Sequence, residues 1–246
     1  MKITILGSGD AFGSGGRFST CLQLVADDGT IMLVDCGATS MPALNRAGID
    51  RNAVSAILFT HFHGDHFGGL PFFVLDAQFV TRRRAPLVVA GPPGVEERTH
   101  VALEAAFPGS ATAKRAFPLE FIEIAPGRPG EVAGAAVEAF AMVHDDRAGP
   151  CLGYRIARDG KVFAYSGDTA WTDTLVPLAR AADALLIECY TVDRKLPNHL
   201  DYATLESHLP ALTAKRIILT HMSTPMLDHR GPLACERAFD GMVITP

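Results

Sequence analysis

Three histidines and an aspartate occur within six residues, directly after a short apolar run, and no other segment constrains the fold as strongly. The segment Thr60 to His66 reads THFHGDH and follows the apolar run Ala56 to Phe59. Residues two apart on an extended strand point to the same face, so His61 and His63 can converge on one point. Gly64 is expected to let the chain turn, and that turn would bring the two residues after it toward the same cavity.

Four side chains of this segment are candidate metal ligands: His61, His63, Asp65 and His66. Imidazole and carboxylate donors together suit a divalent metal of borderline softness such as zinc. A purely structural role for the cluster would bury several polar groups, at about 1–3 kcal/mol for each group left without a partner. The pattern therefore indicates a metal site at the end of a strand.

The length and composition predict one globular domain over residues 1–246. Hydrophobic residues make up 48% of the chain and charged residues 20%, which is enough apolar material for a buried core. The net charge of −5 gives no overall cationic field that would attract nucleic acid or an anionic membrane. The dense basic run, Arg82 to Arg84, is interpreted as a solvated helix end, with phosphate contact as the alternative.

The five cysteines are scattered, without a C-x-x-C pair, and are expected to be reduced and mostly buried. The apolar run at the amino terminus is too short for a signal peptide, and no stretch approaches the roughly 20 apolar residues that span a bilayer. A cytoplasmic location without membrane contact is expected by default.

Short β-branched and apolar runs predict strands, and three- and four-residue spacing predicts helices between them. A Pro- and Gly-rich segment, Ala125 to Gly134, is expected to be a turn. Together these elements favour an α/β (α+β) fold with two sheets and helices outside. The predicted strands are Ile3–Leu6, Cys21–Val25, Ile31–Val34, Ala56–Phe59, Leu87–Ala90, Val137–Met142, Leu152–Ile156, Val162–Tyr165, Ala184–Ile187 and Ile217–Leu219, and the predicted helices are Gly69–Val80, Val95–Ala106, Thr174–Arg180 and Tyr202–Leu212.

The H-x-H-x-D-H pattern resembles the metallo-β-lactamase superfamily, and three later residues continue the resemblance in order. His144, Asp168 and His221 each follow a predicted strand. The resemblance implies a four-layer αββα sandwich of two mixed β-sheets with helices outside. It also implies how the metals are held: His61, His63 and His144 at the first, Asp65, His66 and His221 at the second, and Asp168 between them.

An early aspartate, Asp35, also matches the superfamily pattern. Its carboxylate could support a metal-ligating loop through hydrogen bonds behind the ligands. A structural role in a turn is an equally good interpretation.

Within the superfamily the chain looks most like the branch of ribonuclease Z and the cyclic-phosphate phosphodiesterase of the carbon-phosphorus lyase pathway. The Gly7 to Thr20 loop and the Tyr165 to Thr169 motif are similar to that branch. His199 stands where those enzymes have a histidine that assists the leaving group, and Glu188 could orient its ring. The alternatives are that His199 only precedes a helix and that Glu188 caps a strand.

The chain also departs from that branch. Ribonuclease Z generally carries a long arm for transfer RNA, often between the ligands that match His144 and Asp168, which here are only 24 residues apart. Transfer RNA is therefore not expected as the substrate, and a small phosphodiester or nucleotide-like molecule is. The pathway enzyme has a cysteine-rich zinc site near its amino terminus, where this chain has only Cys21 and Cys36.

The leading hypothesis is phosphodiester hydrolysis by a hydroxide that bridges two divalent metal ions. Asp65 would orient the nucleophile, and a protonated His199 would assist the departing oxygen. Zinc is the expected metal, with manganese and iron as alternatives.

Two other functions stay open: hydrolysis of a lactone, thioester or carboxylic ester on the same metal core, and a non-catalytic metal-binding accessory role. A homodimer is expected because dimers are the commonest assembly of soluble proteins. The shape of the pocket is expected to depend on loops such as Pro71 to Asp76 and Met222 to Arg230.

Overall fold

Two seven-stranded mixed β-sheets form the centre of the molecule, as seen in a computed structural model that describes all 246 residues. The first sheet has the order β14-β1-β2-β3-β4-β5-β6, and the second has the order β13-β12-β11-β10-β9-β8-β7. The strands are β1 Lys2–Gly7, β2 Cys21–Val25, β3 Ile31–Val34, β4 Val54–Leu58, β5 Leu87–Gly91, β6 Leu119–Glu123, β7 Gly130–Val132, β8 Ala135–Ala141, β9 Leu152–Arg158, β10 Lys161–Tyr165, β11 Ala184–Glu188, β12 Ile217–Thr220, β13 Glu236–Arg237 and β14 Val243–Ile244.

Seven α-helices connect the strands, and none of them combines the length and the hydropathy needed to cross a bilayer. Apolar residues of α1, α3 and α4 cover the outer face of the first sheet, and those of α5 and α6 cover the outer face of the second. The helices are α1 Ser40–Arg46, α2 Gly64–Phe67, α3 Leu70–Phe79, α4 Val95–Ala106, α5 Leu175–Ala179, α6 Tyr202–His208 and α7 Thr224–Asp228.

Alternation along the strands divides the interior into three apolar layers. Leu22 and Leu24 point into the central layer between the sheets, where they meet Phe163 of the opposite sheet. Ile57 packs outward under the helices of the first sheet, and Leu185 packs outward under those of the second. Each sheet is thus buried on both faces, as the expected four-layer αββα arrangement requires.

The carboxyl ends of the ligand-bearing strands meet at one edge of the sandwich. β3 and β4 are parallel neighbours in one sheet, and β10, β11 and β12 are parallel neighbours in the other. Two hydrogen bonds join the sheets just before the H-x-H-x-D-H segment: the Tyr154 hydroxyl donates to the Phe59 carbonyl over 2.8 Å, and the Leu152 amide donates to the Thr60 carbonyl over 3.0 Å. The two sets of strand ends therefore have a fixed separation.

All ten predicted strands and all four predicted helices are present, with ends shifted by at most a few residues. The predicted turn Ala125 to Gly134 is partly wrong, because its end forms β7 and pairs with β8. β6, β13, β14, α1, α2 and α7 were not predicted. β6 mixes apolar and acidic residues at the edge of its sheet, so it lacks the continuous apolar run of a buried strand.

The interpretation of the Arg82 to Arg84 run as a solvated helix end is wrong for its middle residue. Arg83 is only 2% exposed. Its guanidinium donates to backbone carbonyls of Val54 at 2.7 Å and Pro86 at 2.6 Å, among others. Burial of the guanidinium is tolerated because these backbone carbonyls, at the start of β4 and just before β5, satisfy its donors.

Replacing Arg83 by alanine is expected to lower the free energy of unfolding by about 2–4 kcal/mol, since several carbonyls would lose their donors. Urea denaturation followed by circular dichroism measures the change. Arg84 is exposed, and Arg84→Ala is the matched control, with an expected change within about 0.5 kcal/mol. Equal stability of the two variants would contradict a structural role for Arg83.

Candidate metal centre

The H-x-H-x-D-H segment leaves β4 and forms a single helical turn. His61 and His63 follow the strand, and Asp65 and His66 lie within α2. The chain turns as predicted, but Gly64 is not what permits the turn: its φ is negative, and an added Cβ would meet nothing within 4 Å. A helical turn, which any residue can adopt, brings the four candidates together.

Three imidazoles converge in a first cluster. His61 Nε2 lies 3.1 Å from His63 Nδ1, and His144 Nε2 lies 3.0 Å from the same atom. Donors held at 2.0–2.1 Å by one tetrahedral zinc stand about 3.3 Å apart, so the spacing fits a single ion.

The outer nitrogens of these rings are already engaged by the protein. His144 Nδ1 donates to the Asn198 carbonyl over 2.8 Å, and His61 Nδ1 lies 3.0 Å from the Thr60 hydroxyl. Burial, reinforced by neighbouring imidazoles, lowers the pKa of His61 well below its ordinary value and also lowers the pKa of His63. The inward nitrogens are therefore lone pairs that face one another, an arrangement that a cation stabilises.

A second cluster contains two carboxylates and two imidazoles. His66 Nε2 lies 3.2 Å from Asp168 Oδ1, and His221 Nε2 lies 3.1 Å from Asp65 Oδ2. Both His66 Nε2 and Asp168 Oδ1 are buried without a hydrogen-bond partner. A buried polar atom without a hydrogen-bond partner lowers the stability of the fold. Two carboxylates and two imidazoles form a donor set that fits a divalent cation, which would pair these atoms.

Asp168 lies between the two clusters. Its Oδ2 is 3.3 Å from His221 Nε2 in the second cluster and 3.8 Å from His144 Nε2 in the first. Its side chain is 3% exposed. The position is the one that the sequence analysis expected for a bridging carboxylate.

The second cluster has an excess of negative charge that must be balanced. Burial opposes the protonated imidazoles, yet Asp168 and Asp65 hold the pKa of His66 and His221 above the ordinary value, at about 10 for His221. Burial likewise opposes the ionised carboxylates, and the imidazoles still lower the pKa of Asp65 and Asp168. A metal ion would replace the protons as the source of positive charge.

Asp35 lies behind the second cluster and is completely buried. Its Oδ2 accepts a hydrogen bond from His66 Nδ1 at 2.8 Å, and its Oδ1 accepts one from the Thr60 amide at 2.8 Å. It thus supports His66 directly and holds the residue that precedes His61. Gly37 in the same loop must be a glycine, because a Cβ there would lie 2.0 Å from the Asp65 carbonyl oxygen.

Two of these residues adopt left-handed backbone conformations. Asp35 has a φ of 58° and His221 a φ of 56°. Such conformations cost about 1–3 kcal/mol in residues other than glycine and persist where surrounding contacts impose them. In these conformations the Asp35 carboxylate contacts His66 from behind and the His221 ring reaches the second cluster.

His199 and Glu188 stand beside the second cluster. His199 Nδ1 is hydrogen-bonded to Glu188 Oε1, and the other oxygen of this buried carboxylate accepts the Thr169 amide. The same Oε1 lies 3.5 Å from His221 Nδ1. Burial opposes protonation of His199, but the hydrogen bond and charge of Glu188 outweigh it and raise the pKa of His199 above its ordinary value.

A cavity of about 310 Å³ opens over both clusters. His63, Asp65, His144, Asp168, His199 and His221 line it, together with Ala11, Phe12, Gly64 and Tyr190. The expectation that Pro71 to Asp76 and Met222 to Arg230 shape the pocket is wrong: the first lies within α3, the second contains α7, and neither lines the cavity.

Sequence reasoning missed several residues of the site. Phe12 and Tyr190 form cavity walls, and Thr60, Asn198 and Asp145 contact the outer nitrogens of the histidines, the last at 3.9 Å from His63 Nε2. An aromatic residue in a loop otherwise rich in glycine was an available signal for Phe12. Asn198 contacts His144 through its backbone carbonyl. Because every residue has a backbone carbonyl, the sequence gives no signal for this contact.

Comparisons with known proteins agree with this geometry. Residues 1–239 match the model of the family described as Anti-Pycsar protein Apyc1. Ribonuclease Z of Mycobacterium marinum is 32% identical over 205 residues, which cover 79% of this chain and 71% of that protein.

Two solved structures share the fold. A metallo-β-lactamase fold protein, YhfI from Bacillus subtilis, aligns over 99% of both chains with a TM-score of 0.77 and 18% identity. A diphosphatase of the PhnP family aligns over 99% of this chain and 97% of that chain, with a TM-score of 0.78 and 21% identity.

The assignment of the chain rests on the fold, on the donor set for divalent metals at the shared edge of the two sheets, and on these similarities. The chain belongs to the Anti-Pycsar protein Apyc1 family and is a ribonuclease Z-like, metal-dependent hydrolase with the metallo-β-lactamase fold.

Proposed function

We propose that this chain, a metal-dependent phosphodiesterase, hydrolyses small, nucleotide-like phosphodiesters with a single catalytic domain of residues 1–246. The observation that carries the proposal is the His199–Glu188 pair: His199 lines the same cavity as the two donor clusters, and the buried Glu188 carboxylate is hydrogen-bonded to it from behind. An imidazole whose protonated form is favoured by a buried carboxylate suits a reaction that expels a charged oxygen.

The centre would hold two divalent ions, with zinc as the proposed metal and manganese and iron as the other candidates. When bound, the ions supply Lewis acidity that lowers the pKa of coordinated water and neutralises charge on phosphoryl oxygens. His61, His63 and His144 would hold one ion, Asp65, His66 and His221 the other, and Asp168 would contact both.

His199 would move the proton that the leaving group needs. Its Nδ1 is bound to Glu188, so its Nε2–H is the group that can donate to a departing oxygen in the cavity. Glu188 raises the pKa of His199 despite its burial, which favours the protonated ring. Such general-acid assistance contributes about 10²–10⁴-fold to rate.

Glu188 would position three groups at once. Its oxygens are hydrogen-bonded to His199 Nδ1 and to the Thr169 amide next to Asp168, and Oε1 lies 3.5 Å from His221 Nδ1. Asp65 is hydrogen-bonded to His221 through Oδ2 and faces the cavity, where it would orient the attacking water. These are positioning roles, because each carboxylate fixes the geometry of groups that face the substrate.

The cavity favours a small substrate. Its ten lining residues include no lysine or arginine, so the cavity itself offers no cationic side chain to further phosphates of a polymer. The relatives named ribonuclease Z make RNA the second candidate substrate. Lactone, thioester or ester hydrolysis and a non-catalytic accessory role lack a comparable observation, because neither requires a proton donor placed like His199.

The homodimer stays a prediction. α3 is apolar nearly all round, and Phe72 and Phe79 on it are 49% and 69% exposed. An apolar face of this kind is typical of an interface between copies. Light scattering that returned the mass of one chain would contradict it.

Purified protein is expected to contain two equivalents of metal per chain and to hydrolyse bis-p-nitrophenyl phosphate. Elemental analysis and product absorbance measure the two properties. Chelation should abolish hydrolysis, and added zinc should restore it. A higher kcat/KM on simple lactones or on a transfer-RNA precursor would overturn the proposed substrate class, and full metal loading without any hydrolysis would favour the accessory role.

Asp35→Asn is expected to weaken metal binding about 10–100-fold, because His66 would lose the carboxylate that orients it. Competition with a chromophoric chelator measures the affinity. Asp145→Asn is the matched control, since Asp145 lies 3.9 Å from its histidine, and it should have a smaller effect. If the two variants bound metal equally well, Asp35 would be only a turn residue.

His199→Ala is expected to lower kcat about 10²–10⁴-fold while both metal equivalents remain. Steady-state kinetics with elemental analysis of the same sample tests both parts. His100→Ala, a histidine outside the cavity, is the control and should keep wild-type kinetics. Unchanged turnover in His199→Ala would remove this residue from the mechanism.

A further inference from the structure

Phe12 is the most exposed large apolar side chain of the molecule, at 83%. Burial of a phenylalanine ring stabilises a folded protein, and at this position that contribution is largely absent. Phe12 also lines the cavity over the metal centre. The exposed ring is therefore available to a ligand of that cavity.

The loop that carries Phe12 is held in place by buried polar contacts. Asp10, 1% exposed, accepts hydrogen bonds from the Phe12 amide at 3.2 Å and the Ser14 amide at 2.9 Å. Asp240 accepts from the Ser8 amide at 2.9 Å and the Phe18 amide at 2.8 Å on either side. Phe12 therefore lies on a turn whose backbone is held in place by hydrogen bonds to Asp10 and Asp240.

The same loop is connected to the metal centre through its backbone. The Ser8 carbonyl accepts a hydrogen bond from the amide of His221 at 3.2 Å. A ligand whose phosphate lies at the metal centre would thus meet Phe12 at a fixed distance. Fixed spacing between a phosphate site and an aromatic ring suits a substrate in which phosphate and a planar group are rigidly connected.

We propose that Phe12 is a specificity-determining residue that stacks on a planar aromatic group, such as a nucleobase, of the phosphodiester substrate. The inference rests on the proposed function and names the recognition element for the part of the substrate that does not react. The wall formed by Ala11 and Phe12 has no hydrogen-bonding side chain, so it selects an aromatic face without reading one particular base.

The test compares two phosphate ligands that share a ribose and differ in the base. Calorimetric titration of the zinc-loaded protein with adenosine 5′-monophosphate and with ribose 5-phosphate gives both affinities. Wild type should prefer the nucleotide. Phe12→Ala and Phe12→Leu should bind the nucleotide about 5- to 100-fold more weakly and ribose 5-phosphate with unchanged affinity, whereas Phe12→Tyr should retain the preference.

Phe239→Ala is the matched control, because Phe239 is 54% exposed and lies outside the cavity lining. Its preference should equal that of wild type. Equal affinities in wild type, or an unchanged preference in Phe12→Ala, would overturn the inference. A halved mass of Phe12→Ala in light scattering would also overturn it, since Phe12 would then be an interface residue.

Hydrolysis of bis-p-nitrophenyl phosphate by wild type is measured separately. If wild type hydrolyses this substrate but shows no preference for the nucleotide, only the role of Phe12 is rejected. If wild type does not hydrolyse it, the proposed function is rejected, and the measured preference still reports on binding by Phe12.

Discussion

The balance of buried charge in the cleft between the two sheets is the constraint on which the site depends. Asp65 and Asp168 stand within hydrogen-bonding distance of His66 and His221; the last three are buried, and the Asp65 side chain is only 9% exposed. Ionised carboxylates cannot occupy such a place without a nearby source of positive charge. Divalent ions held by this donor set would supply that charge and would also activate water, so the stability of the cleft and its chemistry would have one origin.

The rest of the fold holds these groups at their distances. Hydrogen bonds between the sheets at Phe59 and Thr60 fix one wall of the cleft against the other. Asp35 and Glu188 then orient the histidines from behind, one in each sheet. Because the orienting groups are themselves buried and hydrogen-bonded, the inward atoms have little freedom to relax away from one another. Preorganisation of this kind lets a centre bind metal without rearrangement.

The proposed determinant of specificity lies outside this rigid centre. Phe12 lies on a loop braced by Asp10 and Asp240, close to the reacting groups but apart from their chemistry. The cavity has a polar floor that any phosphodiester could use and an apolar wall that only some substrates would contact. Separation of the two surfaces allows one metal centre to serve different substrates through changes in loops, as is common where function is grafted on a shared fold.

Local patterns in the chain determined most of the architecture and the ligand candidates. The strands around His61, Asp168 and His221 were predictable because apolar runs reflect burial of consecutive residues, and the candidates stood at their ends. The buried role of Arg83, the walls formed by Phe12 and Tyr190, and the carbonyl of Asn198 were decided only by the tertiary structure. Each depends on backbone groups or loops brought together from distant parts of the chain, and periodicity along a sequence carries no information about such contacts.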